Sequence, residues 1–301
     1  MIYRFLFLSV LFLFSSCKNE WTKPLTDINE GKTIQLKYAK GFAITNFETH
    51  NVIEIKNPWP NSDKTFKYIL SDSNIKAPIK KIVVTSTTHI PALELLGVEN
   101  ALVGFPGTNY VSSKKTRQRI ENGLVRELGK NEGINTEVLL ELNPDIVIGF
   151  GIDGTNKTFE TIKKYGIPVI YNGDWVESSP LAKAEWIKFF GVLFNKEAKA
   201  DSIFKTIEKN YLEAKLLASK VESKPTILSG AMHKDIWYLP NGTSTEAQFL
   251  KDANVNYIWS NSKGSGSLAL NFETVYEKAK NADLWLNPSY YTSMEALEKA
   301  N

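Results

Sequence analysis

The spacing of apolar and polar residues changes along the chain, and each change predicts a different kind of structure. Short apolar runs between turn residues such as Lys40-Gly41 and Asn57-Pro58 are typical of antiparallel strands. We expect these strands at 33–38, 42–47, 51–56 and 65–70. These strands and the polar tether before them form the N-terminal region 18–79, which we call the lead-in. We expect the lead-in to pack on the part of the chain that begins at residue 80.

Strands and helices alternate from Lys80 onwards. We expect strands at 82–85, 102–104, 146–149 and 169–171, with helices at 91–96, 113–120, 135–141 and 159–165 between them. The same alternation returns nearer the C-terminus, with strands at 226–229, 236–239, 255–259 and 284–286 and helices at 246–252 and 272–280. Repeated strand–helix steps predict a mainly parallel sheet with flanking helices. The predicted fold class is therefore α/β, with two such lobes at 80–179 and 220–301.

The stretch between these lobes, 180–219, is helical throughout. Its first part places Trp186, Phe189, Phe190 and Leu193 on one apolar face, and Asn195 is a residue that tolerates the conformation ending a helix. A second helix over 196–219 would be about 36 Å long at about 1.5 Å per residue. No strand–helix–strand crossover needs that length. We therefore interpret 180–219 as the helices that link the two lobes.

The N-terminus has the features of a lipoprotein signal peptide, 1–17. Arg4 precedes the apolar run FLFLSVLFLF, and the small residues Ser15 and Ser16 stand directly before Cys17. We expect Cys17 to carry the lipid that holds the protein on a membrane. An ordinary signal peptide with an incidental cysteine is the alternative. The other end of the chain, 292–301, begins a helix without a closing strand, and we expect the C-terminal lobe to be truncated.

Charge and composition narrow the possible ligands. The net charge is +3 over 301 residues and no basic stripe occurs, so nucleic-acid binding has no support. Aromatic residues make up 12% of the chain, with seven Trp. Aromatic rings carry a large apolar surface, and some of them therefore suit the lining of a ligand site.

Ligands of α/β sheets bind beyond the carboxyl ends of the strands, and aromatic or small polar residues occupy most of these positions here. We expect a ligand cleft between the lobes, one half from each. The candidate ligand-binding residues of the first lobe are Ser86, Thr87, His89, Phe105, Phe150 and Trp175. Those of the second lobe are His233, Trp237, Tyr238, Trp259 and Tyr290.

Signatures of catalysis or metal binding are sparse. The chain has no GxSxG, HExxH or Walker sequence. His89 and His233 are the only histidines outside the lead-in, fewer than the three or four ligands of a typical zinc site. We therefore expect neither a catalytic site nor a resident metal or cofactor. Asp174 and Asp235 are the acids that an enzyme on this scaffold would have to use.

Two segments carry a resemblance to a known family. The segments KIVVTSTTHIPALELLGVENALVG at 81–104 and GINTEVLLELNPDIVIGFG at 133–151 resemble periplasmic binding proteins for ferric siderophores, haem and vitamin B12. The segments YGIPVIYNG at 165–173 and GVLFNKEAKADSIF at 191–204 support this similarity. The resemblance implies two rigid lobes joined by a long helix, with delivery of ligand to an ABC permease. It also implies one docking glutamate on each lobe, for which Glu121 and Glu246 are the best matches.

The resulting functional hypothesis is a lipid-anchored, monomeric substrate-binding protein of the cell envelope. Its partners would be an ABC permease with its ATPase, and its ligand an iron chelate, haem or cobalamin. If the ligand is haem, the candidate axial ligands are His89, His233, Tyr290 and Tyr291. Two alternatives stay open at this point: a receptor for a free divalent metal ion, and a surface lipoprotein enzyme on the same scaffold.

Overall fold

A computed structural model describes residues 31–300 except positions 72, 155, 265, 289, 290 and 292. The predicted signal peptide, Cys17 and Tyr290 lie outside the described residues. In the described part of the chain, no helix combines the length and the hydrophobicity that crossing a bilayer requires.

The N-terminal region forms a four-stranded antiparallel sheet, the lead-in sheet. Its strands are β1 (Lys32–Thr33), β2 (Phe42–Asn46), β3 (Asn51–Lys56) and β4 (Thr65–Leu70). Ile44, Ile53 and Ile55 alternate with more exposed neighbours and enter the same core as the first lobe. The predicted strand at 33–38 was wrong beyond Thr33, because the amides of Lys37 and Tyr38 bind a side-chain carboxylate instead of a neighbouring strand.

The first lobe is built on a five-stranded parallel sheet, whose strands lie in the order 169–171, 146–149, 82–84, 102–105 and 126–127. Its central strands are continuously apolar because helices or the lead-in sheet cover both faces. Asn135 and Ser113 accept hydrogen bonds from the first turns of their helices, which sets where these helices begin. The elements are β5 (Ile82–Val84), α1 (Ile90–Leu96), β6 (Leu102–Phe105), α2 (Lys114–Glu121), β7 (Arg126–Glu127), β8 (Gly129–Lys130), β9 (Gly133–Ile134), α3 (Thr136–Leu142), β10 (Ile146–Gly149), α4 (Lys157–Lys164) and β11 (Val169–Tyr171).

Three linking helices come next: α5 (Pro180–Glu185), α6 (Ile187–Leu193) and α7 (Glu197–Ser219). Asn195 has a φ of 53°, which confirms the predicted break before the long helix. At its start α7 packs on the first lobe through buried Ala200 and Phe204. Further along, Tyr211 donates a hydrogen bond to Asp252 of the second lobe, at 2.7 Å. The long helix therefore contacts both lobes, as predicted.

The second lobe contains two small sheets and a separate apolar core. The strands of the parallel sheet lie in the order 256–257, 226–229 and 284–286, and those of the antiparallel sheet in the order 231–233, 236–240 and 267–271. The antiparallel sheet was not predicted, since its strand at 231–233 is short and its strand at 267–271 begins at the end of a glycine- and serine-rich run. The elements are β12 (Thr226–Ser229), β13 (Ala231–His233), β14 (Ile236–Pro240), α8 (Thr245–Asp252), β15 (Asn256–Tyr257), β16 (Ser267–Asn271), α9 (Phe272–Ala279), β17 (Leu284–Leu286) and α10 (Met294–Ala300).

Two carboxylates connect the lead-in to the linking helices, an arrangement that we name the amide clamp. Glu185, the last residue of α5, is fully buried and accepts hydrogen bonds from the amides of Lys37, Tyr38 and Ala39 at 2.8 to 3.1 Å. Glu177, just before α5, accepts hydrogen bonds from the next amides, those of Lys40 and Gly41, at 2.9 and 2.8 Å. Charged acceptors make strong hydrogen bonds, and here each of them fixes a backbone segment.

We expect Glu185→Gln to lower the free energy of unfolding by about 2–4 kcal/mol. The amide group has one acceptor oxygen instead of two, and its NH₂ group would face backbone N–H donors. Urea unfolding of the full chain in a mild detergent, followed by tryptophan fluorescence, measures the effect. Glu213→Gln on the exposed face of α7 is the matched control and should change stability by less than about 0.5 kcal/mol. Equal effects of the two substitutions would contradict the role of the clamp.

Candidate functional site

The carboxyl edge of the first sheet forms a groove of about 380 Å³, the first-lobe groove. The loops that follow β5, β6 and β10 line it, because the carboxyl ends of parallel strands meet at one edge. The structure thus brings together four of the predicted residues, namely Ser86, Thr87, Phe105 and Phe150. Tyr110 and Lys130 also line the groove. Tyr110 was not among the predicted residues. This residue is 82% exposed, so it is accessible to a ligand.

Glu127, at the end of β7, shapes one wall of this groove. Its carboxylate accepts hydrogen bonds from the amides of Gly107, Thr108 and Gly129 at 2.7 to 2.8 Å, and from the Thr108 hydroxyl. Burial raises the pKa of Glu127, but these hydrogen bonds outweigh it and hold the pKa below its usual value. Gly107 has a φ of 75°, and a Cβ there would lie 2.9 Å from the Tyr110 ring. The loop that carries Tyr110 is therefore rigidly held.

His89 does not reach this groove. Its side chain is completely buried behind the sheet edge, where its ring packs against Phe190 with centroids 5.7 Å apart. Its Nε2 atom lies 3.9 Å from Oδ1 of the buried Asp174, and neither ring nitrogen has a hydrogen-bond partner within the described structure. Burial lowers the pKa of His89, although Asp174 opposes this, so the ring is neutral near pH 7. The structure places His89 in the core rather than on the cleft surface.

Trp175 also stands apart from the first-lobe groove. It lies in the short 3-10 helix Asp174–Val176, just after the last strand of the first lobe, and is half-buried. Its indole nitrogen and the side-chain nitrogen of Asn172 are buried without hydrogen-bond partners in the described part of the chain. Asn172 accepts a hydrogen bond from the amide of Asp174 at 2.8 Å, and these two residues form a buried polar cluster with His89.

A second groove, of about 580 Å³, lies at the carboxyl edge of the second lobe, and we name it the second-lobe groove. It adjoins the linking helices, since Lys183 of α5 is part of its lining. Of the predicted residues it contains Tyr238 and Glu246. Its other side chains include Ser244, Thr245, Phe249 and Asn287. Lys183, Phe249 and Asn287 were missed, because nothing in the sequence distinguishes them from the many similar residues on helices and loops.

The remaining second-lobe candidates are distributed differently. Trp237 and Tyr238 are adjacent on β14, so their side chains point to opposite faces of the sheet. Tyr238 lines the groove. Trp237 is buried against Trp285, with ring centroids 5.3 Å apart. Trp259 is buried near Tyr257. His233 is exposed at the end of β13. The structure therefore brings Tyr238 to the groove and leaves the other rings outside its lining.

The two predicted docking glutamates have different surroundings. Glu121 is exposed at the end of α2. Glu246 lies in the second-lobe groove, where its Oε1 atom accepts hydrogen bonds from Ser229 at 2.6 Å and Asn287 at 2.8 Å. No group of three or more His, Cys, Asp or Glu side chains suited to a metal ion occurs among the described residues.

Comparison with known proteins identifies relatives of this chain. A family model described as periplasmic binding protein matches residues 82–295. An uncharacterized lipoprotein of Methanocaldococcus jannaschii is 27% identical over 237 residues, covering 75% of this chain and 56% of that protein. A second uncharacterized lipoprotein of that organism is 25% identical over 239 residues, covering 76% of this chain and 60% of the relative. The chain thus spans under two thirds of the length of both lipoproteins.

Solved structures share the fold. A periplasmic binding protein from Veillonella parvula aligns with a TM-score of 0.58 and 16% identity, over 86% of this chain and 76% of that one. The periplasmic haem-binding protein HutB of Vibrio cholerae aligns with a TM-score of 0.58 and 16% identity, over 73% and 82%. A protein of an Fe³⁺-hydroxamate transport system from Saccharomonospora viridis aligns with a TM-score of 0.57 and 18% identity, over 82% and 83%. At these identities the likeness concerns the fold.

The burial of His89 predicts a stability that falls as the pH drops below about 6.5, the ordinary pKa of histidine. Below that pH the unfolded chain binds a proton that the folded chain excludes, at a cost of at most about 1.4 kcal/mol per pH unit. Urea unfolding between pH 7 and 5.5 measures this slope, and His89→Gln should reduce it. The exposed His233→Gln is the control and should keep the wild-type slope; an unchanged slope in His89→Gln would refute the prediction.

Proposed function

The chain belongs to the periplasmic binding protein family, and on this premise we propose that it is a substrate-binding protein of an ABC importer. Its ligand is an iron chelate, haem or a corrinoid, captured between the lobes and passed to the permease. It performs no chemistry on that ligand. Binding comes from burial of apolar ligand surface on aromatic rings, with orientation set by a few polar groups.

The observation that carries this proposal is the pairing of two grooves, one at the carboxyl edge of each lobe. Both have volumes in the range of small-molecule sites, about 300–1,000 Å³. Each combines an exposed aromatic ring with polar side chains: Tyr110 in the first-lobe groove and Tyr238 in the second. The second-lobe groove adjoins α5, which follows the last strand of the first lobe. A ligand in the second-lobe groove can therefore contact both the second lobe and the linking helix α5.

Attachment to the membrane is the second part of the proposal. Cys17 carries the lipid, and the protein lies in the cell envelope as a monomer next to its permease. The sequence before Cys17 supports this, and two relatives are themselves named lipoproteins. Glu121 is the proposed docking residue of the first lobe, since its carboxylate is exposed at a helix end.

Haem and ferric hydroxamates are the first ligands that we propose, because the names of two structural neighbours with the same fold refer to them. We expect saturable one-to-one binding of one of these, or of cobalamin, by the full chain in a mild detergent. Tryptophan fluorescence reports the titration, and calorimetry confirms it because these ligands absorb light. Binding of bare divalent metal ions alone would favour a metal receptor instead. No binding by any of them would refute the proposal.

Substitution of Tyr238 tests whether the second-lobe groove belongs to the site. We expect Tyr238→Ala to weaken binding about five- to thirtyfold, since loss of a stacked aromatic ring costs about 1–2 kcal/mol. The matched control is Tyr165→Ala, which removes an exposed ring near the opposite edge of the first lobe. Calorimetric titration with the ligand identified above provides the comparison. An equal effect of both substitutions would place Tyr238 outside the site.

A further inference from the structure

The second-lobe groove contains two opposite charges that do not pair with each other. We infer that the groove selects a ligand with a carboxylate group, which Lys183 binds, and that Glu246 accepts a hydrogen bond from the same ligand. This inference rests on the proposed function and narrows it, because it favours carboxylate-bearing chelates or tetrapyrroles over neutral ones.

Lys183 is held at the groove by the start of α5. Ser179 caps this helix, and Pro180 occupies its first turn, so the direction of Lys183 follows from a fixed helix start. The side chain is half-buried, and within the described residues its ammonium has no ion pair and no hydrogen bond. Lys188, on the next helix, pairs with Glu185 at 3.1 Å and Asp201 at 3.5 Å. A partly desolvated ammonium gains most from an anion that arrives with the ligand.

Asp174 and Glu177 act on Lys183 only through their charge, and neither bonds its ammonium. Glu177 uses its Oε1 atom for the amides of Lys40 and Gly41 and for the indole N–H of Trp186 at 3.1 Å. Asp174 is buried on the side of His89. Burial lowers the pKa of Lys183, while the charges of Asp174 and Glu177 oppose this at a distance. These acids therefore help to keep Lys183 charged without occupying its hydrogen-bond donors.

Glu246 is the negatively charged residue that lines the second-lobe groove together with Lys183. Hydrogen bonds from Ser229 and Asn287 fix its Oε1 atom, and no described protein group bonds its Oε2 atom. The residue is in the first turn of α8, where its negative charge offsets the positive end of the helix. A ligand carboxylate is therefore assigned to Lys183 rather than to the helix end. Tyr238 and Phe249, 42% and 50% exposed, add an apolar wall between polar groups.

Two pairs of probes test the inference on the full chain in a mild detergent. The first pair is haemin and its dimethyl ester, which share ring and iron but differ in free carboxylates. The second pair is a ferric hydroxamate chelate with free carboxylates and a neutral ferric trihydroxamate. Cobalamin, whose peripheral carboxylates are amidated, is a fifth probe. The variants are Lys183→Met, Lys183→Gln and the charge-preserving Lys183→Arg, with Lys263→Met as an exposed control on the loop before groove-lining Gly266.

We expect the carboxylate-bearing member of at least one pair to bind wild-type protein tenfold or more tightly than its partner. Lys183→Met and Lys183→Gln should remove most of this preference, whereas Lys183→Arg and Lys263→Met should keep it. Equal binding within both pairs, binding of cobalamin alone, or a preference that survives in Lys183→Met would overturn the inference and leave the proposed function standing. Failure of all five probes to bind would overturn both. The comparison within wild-type protein needs no variant, so a folding defect cannot obscure it.

Discussion

The arrangement of the lead-in sheet and the linking helices depends on the amide clamp. Successive amides at 37–41 donate to the carboxylates of Glu177, which lies just before α5, and of Glu185, the last residue of α5. A buried carboxylate is stable only where donors surround it, and a buried amide needs an acceptor, so each side of the clamp requires the other. Gly41 permits the close approach, since a Cβ there would lie 2.9 Å from the Trp186 ring. The clamp thus joins segments that share no sheet.

The amide clamp fixes the part of the second-lobe groove that α5 contributes. Because Glu185 fixes the end of α5 and Glu177 fixes the segment just before it, the half-buried Lys183 has a defined position relative to the first lobe. The second lobe contacts the same segment, where the Thr245 hydroxyl donates to the Glu177 carbonyl at 3.0 Å. The long helix adds a second connection at Asp252, which accepts hydrogen bonds from Tyr211 and Gln248. The second lobe is therefore held both to the end of the first lobe and to the long helix.

The rule that ligands bind beyond the carboxyl ends of strands located part of the candidate site. It identified Ser86, Thr87, Phe105 and Phe150, which lie around one groove, and Tyr238, which lies in the other. It could not separate these from His89, Trp237 and Trp259, which follow or occupy strands too but which the structure places outside the lining of both grooves. On a strand, one residue of register decides whether a ring faces the cleft or the core. Short strands such as β13 and β15 leave that register undetermined in the sequence.

The sequence by itself determined the α/β class, the alternation of elements in both lobes and the long linking helix. These features depend on local periodicity, capping residues and the break at Asn195, all of which are readable over a few turns of chain. Only the tertiary structure decided that 34–39 is not a strand, that the second lobe contains an antiparallel sheet and that His89 is buried. It also decided that Lys183 and Glu246 share a groove, because they belong to separate elements whose proximity follows from packing. Contacts between distant segments leave no periodic pattern, and so the chemistry of the cleft emerged only with the fold.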